Sequence, residues 1–329
     1  MNRTTGLLST TDKLTQADRW DHVLARIGYK RSQHRVQPGL YALGSPGRSS
    51  PVFVSANYTL SFDALRSSLK NMNVYILVLD TRGVNVWCAA GKGTFGTAEL
   101  LHKIAETRLA EYIDHRTLIL PQLGAPGVSA HEVKKSSGFR IEYGPVRAAD
   151  IPEYMQTHKA TPDMRRVRFN LMDRLVLIPV EVTHLLLPLL LASAILWLLL
   201  NPLLAVGFAT AILAGIILFP ILLPWLPTTQ FSGKGFLLGF VLAFIFAVIA
   251  WISGEQLPLW QRAGWGFTYL LTMPPIVAYL GLNFTGSTTF TSRTGVRREI
   301  FRYIPYMAWS LGIGLLLLLG LSITTYIKG

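Results

Sequence analysis

Residues 74–92, Val-Tyr-Ile-Leu-Val-Leu-Asp-Thr-Arg-Gly-Val-Asn-Val-Trp-Cys-Ala-Ala-Gly-Lys, decide how the N-terminal half of this chain is read. Val74 to Asp80 is a run of β-branched and apolar residues ended by a carboxylate, the pattern of a strand buried on both faces of a parallel sheet. A polar loop then leads to Asn85-Val86-Trp87-Cys88-Ala89-Ala90-Gly91-Lys92, a helix start rich in small residues that carries the single cysteine of the 329 residues. A lone cysteine forms no internal disulfide and no CxxC pair, and it supplies too few thiolates for an iron–sulfur cluster or a structural zinc site. Any chemistry at Cys88 is therefore the work of one thiol; the competing reading is a small buried hydrophobe.

The flanking segments repeat the strand and helix alternation. Pro51 to Ser55, Thr117 to Leu120 and Phe139 to Tyr143 read as further strands. Ser61 to Leu69 reads as a helix capped by Ser61, Thr97 to Ile113 as one longer amphipathic helix, and Val128 to Lys135 as a third. This order predicts an α/β head with an open, Rossmann-like, mostly parallel sheet. Ligands of such sheets lie beyond the carboxyl ends of the strands, which is where Asp80 to Lys92 falls.

Charge divides the chain. Residues 1–173 hold 23 of the 31 Lys and Arg and 15 of the 18 Asp and Glu, and the remainder is nearly free of charge. From Leu175 onward five apolar stretches, near 175–200, 203–226, 235–252, 263–282 and 304–326, approach the roughly 20 residues needed to cross a bilayer as helices. Asn201-Pro202 marks a tight turn between the first two. The predicted domains are a head over 1–160, a basic linker over 161–174 and an all-α membrane domain of five transmembrane helices over 175–329. The first thirty residues are polar, with no signal-peptide core. With the head in the cytoplasm, the inside flanks hold Arg165, Arg166, Arg168, Arg174, Lys234, Arg293, Arg297, Arg298 and Arg302, and the outside flanks hold Arg262 and Lys328. The expected location is the inner membrane, multi-pass, with membrane lipid as a partner of the Arg165 to Arg174 cluster. No concentrated Lys/Arg block with interleaved aromatics is present, which argues against nucleic acid.

Other motifs compete for the loop after Asp80. Gly91-Lys92-Gly93-Thr94-Phe95-Gly96 matches GxGxxG, but a dinucleotide fingerprint follows its strand directly and here ten residues intervene. No GxxxxGK[ST] spacing exists. His102, His115 and His131 are available as bases for a cysteine nucleophile, yet nothing in the sequence pairs any of them with Cys88. Glu181 and His184 lie one helical turn apart in the first span, where they serve a function or satisfy each other. Asn283 to Ser292 is a hydroxyl-rich run between spans four and five, either a docking segment or a polar connector.

Three small side chains after Cys88 make a flat surface that a broad planar ligand can approach while the thiol reaches its centre. The stretch NVWCAAGK resembles the signature of the mercury-methylation corrinoid protein (HgcA) family at each of its eight positions, Asn85 to Lys92. The predicted layout, a corrinoid-binding head joined to five membrane helices, is also that family's. The head is similar to the large subunit of the corrinoid iron–sulfur protein, with Val54 to Asp63 echoing it. The resemblance implies that Cys88 is the lower axial ligand of corrinoid cobalt, and that Asn85, Val86, Trp87, Cys88, Ala89, Ala90, Gly91 and Lys92 form a cofactor-binding cap helix. The usual B12 histidine signature DxHxxG is absent, since Asp21-His22 and Asp114-His115 have the wrong spacing.

The implied activity is a corrinoid-dependent methyltransferase that forms methylmercury. Hg(II) is an electrophile and needs a methyl group that leaves with its electrons, which a thiolate opposite the methyl favours. The chain has no cysteines left for a cluster, so reducing electrons come from outside. The resemblance names a ferredoxin-like [4Fe–4S] protein as their donor and as an Hg(II) donor, and a methyl-tetrahydrofolate-dependent methyl source. Two alternatives stay open: a corrinoid methyl carrier for a non-mercury acceptor, and a membrane transporter or sensor with a nucleotide-binding head.

Overall fold

The computed structural model describes residues 6–288 and 292–328. The chain forms two compact units, one ending at Arg168 and the other beginning at Phe169.

The first unit contains, in order, β1 (Leu8–Thr10), α1 (Gln16–Arg26), β2 (Gly39–Leu43), β3 (Val52–Ala56), α2 (Thr59–Ser68), β4 (Val74–Leu79), α3 (Val86–Lys92), α4 (Thr97–Glu106), α5 (Leu109–Tyr112), β5 (Thr117–Leu120), α6 (Ala130–Ser137), β6 (Arg140–Tyr143) and α7 (Ile151–Thr157). Six strands form one sheet in the order β1-β2-β4-β3-β5-β6. The β4-β3-β5-β6 portion is parallel throughout, as the sequence predicts. Taken in chain order those four strands run 2-1-3-4, the doubly wound arrangement in which successive crossovers leave the first strand in opposite directions. The mixed character comes from β2, which pairs antiparallel with β4 and carries β1 parallel on its outer side.

Strand residues alternate between two cores, because successive side chains point to opposite faces. Phe53, Ile76, Val78 and Ile119 pack on one face with Phe62 and Leu65 of α2, Leu69 at its C-cap, and Ile151 and Tyr154 of α7. Val54, Leu77, Leu79, Leu118 and Leu120 pack on the other with Leu100 and Ile104 of α4, Leu109 of α5 and Val133 of α6. The two faces explain the near-continuous apolar run of Val74 to Leu79, all six of which are buried.

Two local expectations are corrected. The helix predicted over residues 97–113 is two, broken where Arg108 takes a left-handed φ of 48°. The helix predicted from Ser61 begins at Thr59, and Tyr58 occupies its cap position without a side-chain bond, so Ser61 lies inside the helix. Met164, in the stretch read as linker, is buried in the α2 core, and its carbonyl accepts from the Val146 N–H at 2.7 Å.

The second unit comprises α8 (Leu171–Leu175), α9 (Ile178–Leu199), α10 (Pro202–Leu213), a π-helical segment over Ala214–Leu218, α11 (Phe219–Leu222), α12 (Phe231–Ser253), α13 (Leu259–Asn283) and α14 (Arg293–Lys328). Five stretches are long and apolar enough to span a membrane: Leu171–Leu199, Pro202–Leu222, Phe231–Ser253, Leu259–Gly286 and Thr294–Thr324. Asn201 caps α10, its side chain accepting from the Leu203 N–H at 2.7 Å with Pro202 at the first helical position, which makes the turn read from the sequence. Of the hydroxyl-rich run, Thr285 is buried and donates to the Leu282 carbonyl at 2.7 Å; residues 289–291 lie outside the described residues.

Two basic residues act within the helical unit. The Arg174 guanidinium is buried and donates to the Pro220 carbonyl at 3.2 Å and the Ile221 carbonyl at 2.8 Å. The Lys234 ammonium donates to the carbonyls of Leu223 and Leu226. Both cations thus meet the unsatisfied carbonyl end of the second span, where the helix dipole is negative.

Close packing of α12 on α13 rests on Gly235 and Gly239, spaced as GxxxG. A Cβ on Gly235 would lie 2.4 Å from Ala278 Cα, and one on Gly239 would lie 2.6 Å from Pro274 Cα. Without a hydrophobic drive between helices in lipid, such backbone contact is what binds them. Gly239→Leu is therefore expected to lower the stability of the detergent-solubilised chain by about 1–3 kcal/mol or to prevent its folding. Gly312→Ala, where nothing lies within 4 Å, should leave the melting temperature unchanged.

Candidate functional site

The crossover after β3 passes over one face of the sheet and the one after β5 over the other, so their carboxyl ends diverge and leave a crevice. A cleft of about 330 Å³ occupies that position. Its floor is Phe53, Val54 and Ser55 of β3 with Ile119 and Leu120 of β5, and its far wall is Pro121, Gly144 and Pro145. Asn85, Val86 and Trp87, at the start of α3, close the near side.

The seven-residue helix α3 is held at both ends. Asn85 takes an extended backbone, and its Oδ1 accepts from the Cys88 N–H at 2.9 Å, an N-cap bond that satisfies one orphan donor of the first turn. Gly93 ends the helix in the left-handed region at φ 82°, where glycine carries no Cβ penalty. Cys88 is exposed and unbridged, which corrects the buried-hydrophobe alternative.

The neighbours of Cys88 behave differently from the expected flat surface. Ala89 is wholly buried and Ala90 is 6% exposed, both in the α4 core, because positions one and two residues on are turned about 100° and 200° away. Their small size serves a close approach on the body side: a Cβ on Gly127 would lie 2.1 Å from the Phe95 carbonyl oxygen and 3.0 Å from Ala90 Cα. The motif is thus split three ways. Asn85, Val86 and Trp87 face the cleft, Ala89 and Ala90 seat the helix, and Cys88, Gly91 and Lys92 are exposed.

The loop that delivers α3 hangs on Asn57, a residue the sequence reading passed over. Its Oδ1 accepts from Thr81 N at 3.0 Å, Thr81 Oγ1 at 2.9 Å and Gly83 N at 3.0 Å, while its Nδ2 donates to Asp80 Oδ1 at 3.0 Å. Asn57 is 1% exposed, and one step after the end of β3 it reaches across to the loop following β4. The signal was available: an amide directly after a buried apolar strand, opposite a loop containing Asp, Thr and Gly, is the residue type able to satisfy both donors and acceptors.

Two polar atoms beside α3 are orphaned. Thr94 Oγ1, just past the helix, and Gln122 Oε1, in the short turn packed against it, are buried with no hydrogen-bond partner. Buried polar atoms of this kind call for a missing partner. An apolar crevice, two orphaned hydrogen-bonding groups and an accessible thiol fit a large flat cofactor with polar side groups and a metal that accepts sulfur.

The histidines do not assemble around Cys88. His115 Nε2 lies 2.9 Å from the Ser50 carbonyl, at the amino ends of the strands and thus the edge opposite α3. His102 faces Glu106, and His22 Nε2 is 2.7 Å from Asp63 Oδ2 in a buried tie that also holds Arg66. Among the described residues no group of three or more His, Cys, Asp and Glu is arranged to hold a metal ion. The GxGxxG match is also resolved: Gly91, Gly93 and Gly96 join the end of α3 to the start of α4, helix to helix, where a dinucleotide fingerprint joins a strand to a helix.

Just past the carboxyl end of β3, burial pushes the Tyr58 phenol up, with Arg31 and Arg26 pulling it the other way. Residues 28–155 match the family model described as the CO dehydrogenase/acetyl-CoA synthase delta subunit. The acetyl-CoA decarbonylase/synthase complex subunit gamma of Methanopyrus kandleri is 29% identical over 128 residues, 38% of this chain and 27% of that protein. Its namesake from Methanothermobacter thermautotrophicus is 32% identical over 127 residues, with the same coverage of 38% and 27%. The corrinoid/iron-sulfur protein large subunit of Moorella thermoacetica is 22% identical over 155 residues, 44% of this chain and 34% of that protein. The chain thus spans about a quarter to a third of these relatives' lengths, and the matched part is the head.

Asn57→Leu is expected to strand the Thr81 and Gly83 donors at about 1–3 kcal/mol for each left unsatisfied, with amide exchange over residues 80–92 accelerating in step. Equal melting temperatures for this variant and the parent chain would show that Asn57 does not hold the loop. Over residues 28–155 the α/β head is thus similar to the CO dehydrogenase/acetyl-CoA synthase delta subunit family and to the corrinoid/iron-sulfur protein large subunit.

Proposed function

We infer that the chain is a membrane-anchored corrinoid-dependent methyltransferase, with Cys88 as the lower axial ligand of the cobalt and Hg(II) as the methyl acceptor. The observation that carries this is an exposed, unbridged thiol on a short capped helix beside an apolar cleft, in a domain of a corrinoid protein family. A bound corrinoid supplies a cobalt centre that accepts a methyl group and passes it on.

This chain's residues then have separable tasks. The Cys88 thiolate is the residue that would hold the metal, and as a strong donor it would favour release of a methyl group together with its electron pair. Mercury(II), itself an electrophile, takes a methyl group in that form. Val86 and Trp87 offer apolar and aromatic contact to the ring, and Gln122 and Thr94 offer hydrogen bonds to its polar side groups. Asn85 fixes the first turn through the Cys88 N–H. Lys92 stands exposed in the last turn, available to a ring carboxamide or to solvent.

Reduction of the cofactor requires an outside donor, since Cys88 is the sole cysteine and no cluster can be built. A ferredoxin-like [4Fe–4S] protein fills that role and is the proposed source of Hg(II), with methyl-tetrahydrofolate chemistry supplying the methyl group. The Lys and Arg flanks favour a cytoplasmic head in the inner membrane.

Cys88→Ala tests the assignment. The full chain in detergent, loaded with cobalamin, is expected to show a corrinoid absorption spectrum that shifts in the variant, and methylmercury formation by cells that also hold the ferredoxin partner should fall at least ten-fold. An unchanged spectrum with full methylmercury output would remove Cys88 from the metal. Corrinoid binding without methylmercury in the parent chain would point to another acceptor, and failure to bind corrinoid would favour a transporter or sensor.

A further inference from the structure

Helix α1 sorts its charges by direction. Its acids are consumed inward: Asp18 Oδ2 meets the Arg66 guanidinium at 2.8 Å, and Asp21 Oδ1 meets His34 Nδ1 at 2.7 Å. On the same inner side His22 is tied to the buried Asp63. The outward face carries Arg19, Val23 and Arg26, at positions i, i+4 and i+7, with Trp20 beside them. Trp20 is 64% exposed and Val23 44% exposed, while no acidic residue shares their face. The basic surface continues beyond the helix through exposed Arg31 and Arg35.

None of Arg19, Arg26, Arg31 and Arg35 makes an ion pair among the described residues. Arg35 also fixes the patch relative to the site. Its Cβ lies 3.6 Å from where a Cβ on Gly83 would be, and Gly83 stands two residues before the α3 cap. The main chain around it is bonded to the carboxyl end of β3, through Val36 N to the Asn57 carbonyl at 2.9 Å. The surface therefore borders the edge of the sheet that bears Cys88. Helix α1 precedes the matched residues 28–155, whereas Arg31 and Arg35 fall within them.

We propose that the outward face of α1, extended by Arg31 and Arg35, is the docking surface for an acidic electron-carrier protein. Trp and Arg are the residues that anchor interfaces, and an all-positive rim steers a negative partner toward it. The proposal rests on the corrinoid reading above for the electron's destination. The step served is a one-electron transfer: a reduced [4Fe–4S] cluster on the partner is oxidised as the head's cobalt is reduced by one unit, with no bond or proton exchanged.

The test uses the full chain in nanodiscs of uncharged lipid, titrated with an acidic bacterial-type ferredoxin holding two [4Fe–4S] clusters. Binding by the parent chain is expected to weaken about ten-fold as salt rises from about 50 to about 250 mM. Arg19→Glu with Arg26→Glu should weaken it at least ten-fold at low salt, and Trp20→Ala several-fold. Lys134→Glu with Arg140→Glu, an equal charge change at exposed positions on the opposite edge of the sheet, should leave it within about two-fold.

In cobalamin-loaded chain, the α1 double variant should slow cobalt reduction by the ferredoxin while reduction by titanium(III) citrate is unchanged. No ferredoxin binding by the parent chain, or equal binding by the two double variants, overturns the proposal. Loss of binding to phosphatidylglycerol vesicles with ferredoxin binding intact also overturns it, and makes the face a membrane contact. If the chain takes up no cobalamin, the corrinoid reading fails while the titration still decides the surface.

Discussion

The side chain of Asn57 is the constraint from which the site follows. Neighbouring parallel strands end at one edge of the sheet but do not dictate where their loops go. Here one carboxamide, one residue after β3, satisfies three donors and one acceptor of the loop that leaves β4. Unpaired, those groups would sit at the buried root of a loop and weaken it; paired, they fix its exit direction. The exit direction sets the start of α3, and α3 sets the thiol. The crevice between β3 and β5 is a matter of topology, but its near wall exists because this loop is pinned across it.

The chain's pattern made the parallel core legible because burial on both faces requires continuous apolar runs, and Val74 to Leu79 and Thr117 to Leu120 are such runs. Strand β2 escaped for the opposite reason. Gly39-Leu40-Tyr41-Ala42-Leu43 follows Pro38 and opens on a glycine, so it reads locally as a turn, and its pairing partner β4 lies some thirty residues later. Only the tertiary match selects it. Helix α1 carries a readable start signal in Thr15 and Asp18, whose reciprocal capping box is the ordinary opening of a helix, although no helix is predicted there from the sequence. The break at Arg108 had no such signal, since an arginine in the left-handed region is disfavoured by its Cβ and is imposed by the packing around it.

The cysteine motif shows the limit of reading chemistry from small residues. Smallness at Ala89 and Ala90 looked like room for a ligand, yet both face the protein, where Gly127 and the Phe95 carbonyl leave no space for more. A sequence states that a position is small and leaves open which neighbour demands it. The membrane unit gives the same lesson for charge. Arg174 and Lys234 count toward orientation by their position, but each also neutralises helix-terminal carbonyls that lack partners in hydrocarbon. Topological and structural roles coincide in one side chain, and composition cannot separate them.

A single exposed thiol proposed to reach a cofactor has to project while its mount stays still. The two demands conflict on a seven-residue helix, which on its own is too short to be stable. The structure resolves the conflict by restraining α3 along independent directions: the Asn85 cap and Gly93 turn hold its ends, Ala89 and Ala90 seat it against the 122–127 turn, and Asn57 holds its lead-in.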